Sequence, residues 1–115
     1  MRVLVVEDEA EARETLRDAF ADQGWEVAVA ANGAEALQEL AVVTPCVVVL
    51  DLVMPVMNGT ELFAVMQGDA RWSALPVVIT TSDPSRAPTG VLVMRKPLDL
   101  RRLLATVRHI VETPP

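Results

Sequence analysis

Five short apolar runs, each closed by polar residues, set the rhythm of the chain: Val3–Val6, Trp25–Ala30, Val47–Leu50, Pro76–Thr80 and Val91–Met94. The third is the purest. Its four consecutive apolar residues, three of them β-branched, read as a strand buried on both faces. In the second run Val27 and Val29 alternate against polar Glu26.

Between the runs the apolar period lengthens to that of a helix. Ala12, Leu16, Ala19 and Phe20 fall on one stripe over Ala10–Gln23, and Gly24 suits a C-terminal cap. After the Asn32-Gly33 turn, Ala34, Leu37, Leu40 and Ala41 mark a second helix, stopped by Thr44-Pro45. Leu62, Phe63 and Met66 mark a third, running from Gly59 or Thr60 towards Gly68. The last covers Leu98–Val111, with Leu100, Leu103, Leu104, Val107 and Ile110 inward and Arg101, Arg102 and Arg108 towards solvent.

Strands that alternate with helices, and are too apolar to face water, predict an α/β fold. The expected architecture is a doubly wound five-stranded parallel sheet with helices on both faces. One connection breaks the rhythm. From Thr81 to Gly90 the chain has ten residues, whereas a crossover that contains a helix needs at least about 10–12. Pro84 and Pro88 each remove a donor and disfavour helix at the preceding residue, and no apolar stripe is present. The fourth helix is therefore expected to be missing or reduced to a single turn.

Composition changes this picture little. At 115 residues the chain suits one domain, assigned to residues 1–112, with 113–115 a disordered end or the start of a linker. No apolar run approaches the ~20 residues of a bilayer span, and Arg2–Glu7 does not resemble a leader, so a cytoplasmic location and no membrane partner are expected. The net charge of −6 argues against nucleic acid as a partner of this domain. The single cysteine, Cys46, is expected to be a small buried hydrophobe. His109 is read as a surface residue, and Met54 and Met57 as loop packing. Trp25 opens a strand and Trp72 precedes one, which puts both at the amino-end edge of the sheet.

The candidate chemistry lies at the opposite edge, where open parallel sheets bind ligands. The strands end in Glu7-Asp8, in Asp51, in Thr80 or Thr81, and before Lys96, the one lysine in a chain with nine arginines. Three acids, a hydroxyl and an ammonium therefore converge on one rim. Clustered carboxylates repel one another, and a hard divalent cation such as Mg²⁺ relieves that repulsion. The metal and Lys96 would neutralise a phosphoryl group while Asp51 acts as nucleophile. Thr81 is preferred to Thr80 for its distance from Pro76.

Over nearly its whole length the chain resembles the response regulator receiver domains of two-component signalling, which have a chemotaxis-regulator-like fold. The resemblance is carried by Val3-Leu4-Val5-Val6-Glu7-Asp8-Glu9, by Asp51-Leu52-Val53-Met54-Pro55 with Asn58-Gly59, by Pro76-Val77-Val78-Ile79-Thr80-Thr81, and by Lys96-Pro97. It implies a flavodoxin-like strand order, 2-1-3-4-5. It also implies transfer of a phosphoryl group to Asp51 from a phosphohistidine on a sensor histidine kinase or phosphotransfer protein. Under the resemblance Asp8, Asp51 and the backbone carbonyl of Val53 ligate Mg²⁺, with Glu7 as the second acid. Thr81 then hydrogen-bonds the acyl phosphate and Lys96 pairs with one of its oxygens, beside the cis peptide to Pro97 that is usual in the family.

Such a chain promotes only its own phosphorylation and dephosphorylation, so it is not read as an enzyme. Val93 departs from the family, which commonly has an aromatic residue there that turns inward on activation. A second reading follows from that departure and from the short crossover: a phosphorylation-independent interaction module that uses the altered face around residues 81–95. The output partner or domain is not legible in the sequence.

Overall fold

The structure is a computed structural model that describes residues 1–113. Its strands are β1 (Arg2–Val6), β2 (Glu26–Ala30), β3 (Val47–Asp51), β4 (Val77–Thr81) and β5 (Leu92–Arg95). The helices are α1 (Ala10–Asp22), α2 (Gly33–Val42), α3 (Gly59–Gln67) and α4 (Leu100–Glu112). All five strands pair in parallel in the order β2-β1-β3-β4-β5, the order expected.

Strand alternation sorts the core into two layers. Leu4, Val6, Val48, Leu50 and Ile79 face α2 and α3, where they meet Leu40, Leu62 and Met66. Val3, Val5, Val47, Val49 and Val78 face α1 and α4, where they meet Leu16, Phe20, Leu103 and Val107. The central strands β1, β3 and β4 are buried nearly throughout, which is why they read as unbroken apolar runs.

Side-chain caps set three helix starts. The Asn32 carboxamide oxygen accepts the Glu35 N–H at 2.9 Å, and Asn58 and Glu61 form a reciprocal capping box. Asp99 accepts the Arg102 N–H at 3.2 Å, so α4 begins at Leu100, two residues later than its apolar stripe suggests.

The crossover from β4 to β5 holds only one 3₁₀ turn, η1 (Pro84–Arg86), as the two prolines and the missing apolar stripe require. Cys46 corrects the sequence expectation, since it is exposed rather than buried. It precedes β3 at the amino-end edge, and the neighbouring Pro45 is the residue that goes inside. The Cys46 backbone still joins the sheet edge, its N–H donating to the Arg2 carbonyl at 2.8 Å. Thr113 caps α4, with its N–H on the His109 carbonyl at 3.0 Å. Pro114 and Pro115, expected with it to form a disordered end or linker, lie outside the described residues.

Candidate functional site

The β-strands end in register, so the groups at their carboxyl ends gather on one rim. Glu7 follows β1, Asp51 closes β3 opposite Thr80, and Thr81 closes β4 opposite Arg95, one residue before Lys96. Carboxylate oxygens of Glu7, Asp8 and Asp51 all lie within 4.8 Å of one another. Glu7 and Asp51 are buried, and Asp8 is exposed at the mouth.

The Lys96 ammonium answers two of the three acids. Its Nζ is 3.1 Å from Glu7 Oε2 and 3.3 Å from Asp51 Oδ1. One cation cannot neutralise three clustered anions, two of them buried, and Asp51 registers the deficit. Burial, and then the charge of Glu7, push its carboxyl from an ordinary 3.8 up to about 6 against the opposing pull of Lys96. Burial works against the charge on Lys96. Its hydrogen bond to Glu7 and the attraction of Asp51 outweigh that, and its pKa lies above the usual lysine value.

Hard oxygen donors at this spacing fit a hard divalent cation, which would supply the missing positive charge. The peptide bond between Lys96 and Pro97 is cis, and the Lys96 N–H donates to the Thr81 carbonyl at 2.8 Å, which ties the lysine to the end of β4. A cavity of about 270 Å³ opens beside the site, lined by Glu7, Ala12, Leu16, Lys96, Pro97 and Leu98 among others.

Thr81 is buried, with its hydroxyl turned into its own loop. Its Oγ1 accepts the Asp83 N–H at 3.1 Å and approaches the Asp83 carbonyl at 3.4 Å. Val53 lies two residues past Asp51 in the loop to α3, its side chain 57 % exposed. Met54, by contrast, belongs to the core facing α2 and α3.

Two supporting residues escape a reading of the sequence. The Arg13 guanidinium donates to the carbonyls of Glu7 at 2.9 Å and Asp8 at 3.3 Å, fixing the acidic loop from the first turns of α1. Gly59 lies under the Asp51 carbonyl and donates its N–H to Leu52 O at 2.9 Å. A Cβ there would come within 2.8 Å of Leu52 Cα as well as striking the Asp51 carbonyl. Asn58-Gly59 was visible as a turn, but only the packing shows why the second residue must be glycine.

Residues 3–108 match the family model of the response regulator receiver domain. The chain belongs to that family. The receiver domain is 32% identical over 118 residues to response regulator MprA of Mycobacterium tuberculosis, covering 96% of this chain and 50% of MprA. It is 36% identical over 81 residues to the DNA-binding response regulator MtrA of Mycobacterium leprae, covering 70% of this chain and 35% of MtrA. The receiver domain thus spans about half the length, or less, of the curated relatives it matches.

Among solved structures it superposes on the receiver domain of a signal transduction histidine kinase from Syntrophus aciditrophicus. That match has a TM-score of 0.87 and 25% identity over 96% of this chain and 89% of the other. It also matches the chemotaxis response regulator CheY4 of Vibrio cholerae, with a TM-score of 0.85 and 28% identity over 94% and 96% of the two chains. Among the described residues no helix is long and apolar enough to cross a membrane.

Proposed function

We propose that this receiver domain is a phospho-acceptor switch, taking a phosphoryl group on Asp51 from a phosphohistidine of a sensor histidine kinase or phosphotransfer protein. The observation that carries the reading is the placement of Lys96 Nζ between Glu7 and Asp51, with Asp8 at the mouth of the same acidic cluster. A buried carboxylate beside a single ammonium is a nucleophile with a counter-charge already in position.

In the transfer, an ionised Asp51 oxygen attacks phosphorus. An O–P bond forms and the P–N bond to the donor imidazole breaks. The imidazole leaves with that electron pair and is neutral, because its other nitrogen carries a proton. Lys96 exchanges its contact with the Asp51 carboxylate for a phosphoryl oxygen. Glu7, Asp8, Asp51 and the Val53 carbonyl would hold Mg²⁺, which supplies positive charge for the transferred group. Thr81 reaches the acyl phosphate once its hydroxyl leaves Asp83.

The reading is tested by incubating the protein with acetyl phosphate and Mg²⁺ and measuring intact mass. The expected result is the gain of one phosphoryl group, absent from Asp51→Asn. No gain, or a gain that persists in the variant, would overturn it.

A second reading draws on the reduction of the crossover to η1. In it, the domain holds a partner through this face whatever the state of Asp51. Beryllofluoride, a mimic of the acyl phosphate, separates the two: partner affinity shifts for a switch and stays constant for a constitutive module.

A further inference from the structure

Of the three acids on the rim, Asp8 has the least to hold it in place. Asp51 belongs to β3 and is paired there with Thr80. Glu7 is gripped through its carboxylate, which takes Lys96 Nζ at 3.1 Å and the Glu9 N–H at 3.3 Å. Asp8 is exposed and, among the described residues, has no ion-pair partner. It lies between the end of β1 at Val6 and the start of α1 at Ala10, so neither element sets its backbone. A carboxylate on an unrestrained backbone surrenders conformational freedom when it closes on a metal, and affinity falls by that cost.

The entry into α1 does not restrain Asp8 by the usual device, since the cap residue Glu9 makes no side-chain hydrogen bond to the first turn. The restraint comes from within the helix. Arg13 turns its half-buried side chain back over the junction, and its Nη1 donates to the Glu7 carbonyl at 2.9 Å and to the Asp8 carbonyl at 3.3 Å. These two carbonyls belong to the planar peptide groups on either side of the Asp8 Cα. Holding both fixes the two backbone torsions of Asp8, and with them the direction in which its carboxylate leaves the chain.

Arg13 has no other charged partner. Glu9, Glu11 and Glu14 stand near it in sequence, yet among the described residues it makes no ion pair. A guanidinium beside a cation site opposes the cation through its charge, so Arg13 can serve the site only through the order it imposes. We propose, on the assignment of Glu7, Asp8 and Asp51 to a divalent cation, that Arg13 is the positioning residue of that site. It presets the Asp8 carboxylate and raises metal affinity in spite of its own positive charge.

The probe is Mn²⁺, because carboxylate and carbonyl oxygens suit it as they suit Mg²⁺. Titration of the whole chain without a phosphodonor, followed by loss of the free-ion electron paramagnetic resonance signal, gives the dissociation constant directly. Arg13→Met is expected to raise that constant about tenfold, the scale on which loss of a group that orients a metal ligand is felt. Loss of the charge alone would move it the other way. Arg13→Lys, whose ammonium ends short of the guanidinium nitrogens, is expected to bind more weakly than the parent by a smaller factor, and it retains the test if Arg13→Met does not fold. Urea midpoints in EDTA measure any general loss of structure separately. A merely structural Arg13 would lower that midpoint and leave the Mn²⁺ affinity of the folded protein unchanged.

If the parent binds Mn²⁺ and Asp8→Asn weakens it, but Arg13→Met binds as tightly as the parent or more tightly, the role of Arg13 is overturned and the cation site stands. Parent-like affinity in Arg13→Lys overturns it too. If the parent binds no Mn²⁺, or Asp8→Asn binds it as well as the parent does, the cation site itself falls and the proposal falls with it.

Discussion

Lys96 reaches across the end of β4 to place its ammonium 3.3 Å from the Asp51 carboxylate, while the same nitrogen holds Glu7 at 3.1 Å. The two acids share one cation, and this frustration gives the site both its chemistry and its cost in stability.

The cost should be measurable through pH. Asp51 has its folded pKa raised from 3.8 to about 6, so the native state binds its proton more tightly than the unfolded chain does. The stability associated with that proton is fully present below about pH 4 and is lost as pH rises through about 6. Metal-free Asp51→Asn escapes the loss. Urea unfolding should therefore show the variant gaining on the parent between pH 4 and 6 and holding a constant lead above that. A lead that is independent of pH would contradict the assigned shift.

Lys96 should matter more for transfer than for folding. With Lys96→Ala, no ammonium is left to neutralise the phosphoryl oxygens, and loss of one such preorganised group costs roughly 10²-fold in rate. Initial rates with acetyl phosphate, followed by intact mass, should fall by about that factor while the far-UV spectrum is retained. A variant as fast as the parent would remove Lys96 from the mechanism.

Val56 is a β-branched residue at φ 67° in the loop after Asp51, and its side chain is 82 % exposed. Its conformation is strained and its side chain gains almost no burial in return. Val56→Asn should raise the urea midpoint without changing the slope, a stabilisation of about 1 kcal/mol, because asparagine tolerates this region. An unchanged or lower midpoint would mean that the loop relaxes the strain in another way.

Magnesium should stabilise the fold while leaving tryptophan emission nearly unchanged. Binding to the native acids alone raises the melting temperature by mass action, and Asp8→Asn should reduce the rise. Trp25 packs edge-on to Phe20 at 5.8 Å and Trp72 lies beneath Arg71 at 4.2 Å. Both precede strands, at the edge opposite the acids. Differential scanning calorimetry and fluorescence titration test the two halves. A large emission change would put one indole near the rim.

Much of this was legible because parallel strands buried on both faces leave a plain record. Val47–Leu50 is an unbroken apolar run, and Asp51 is conspicuous at its end. The shortened crossover was equally plain in Pro84 and Pro88, since proline acts on the backbone locally. Boundaries were less so: β4 and β5 each run one residue later than their apolar runs, carried on by pairing of Thr81 with Arg95. Cys46 misled because apolar character alone does not say whether a residue at a strand edge faces in. Arg13 was hidden for a related reason. Its partners are backbone carbonyls of the acidic loop, and no side-chain pattern reveals where a guanidinium will find them. The direction of the Thr81 hydroxyl depends on a loop that only the folded chain positions.

The most direct measurement of the central claim is chemical. An acyl phosphate is reduced by borohydride to an alcohol, so phosphorylated aspartate becomes homoserine, and peptide mass spectrometry locates it. After treatment with acetyl phosphate and Mg²⁺, homoserine should appear at position 51 and at no other acid. Homoserine at Asp8 or elsewhere, or none in a protein that has gained phosphate, would contradict the account.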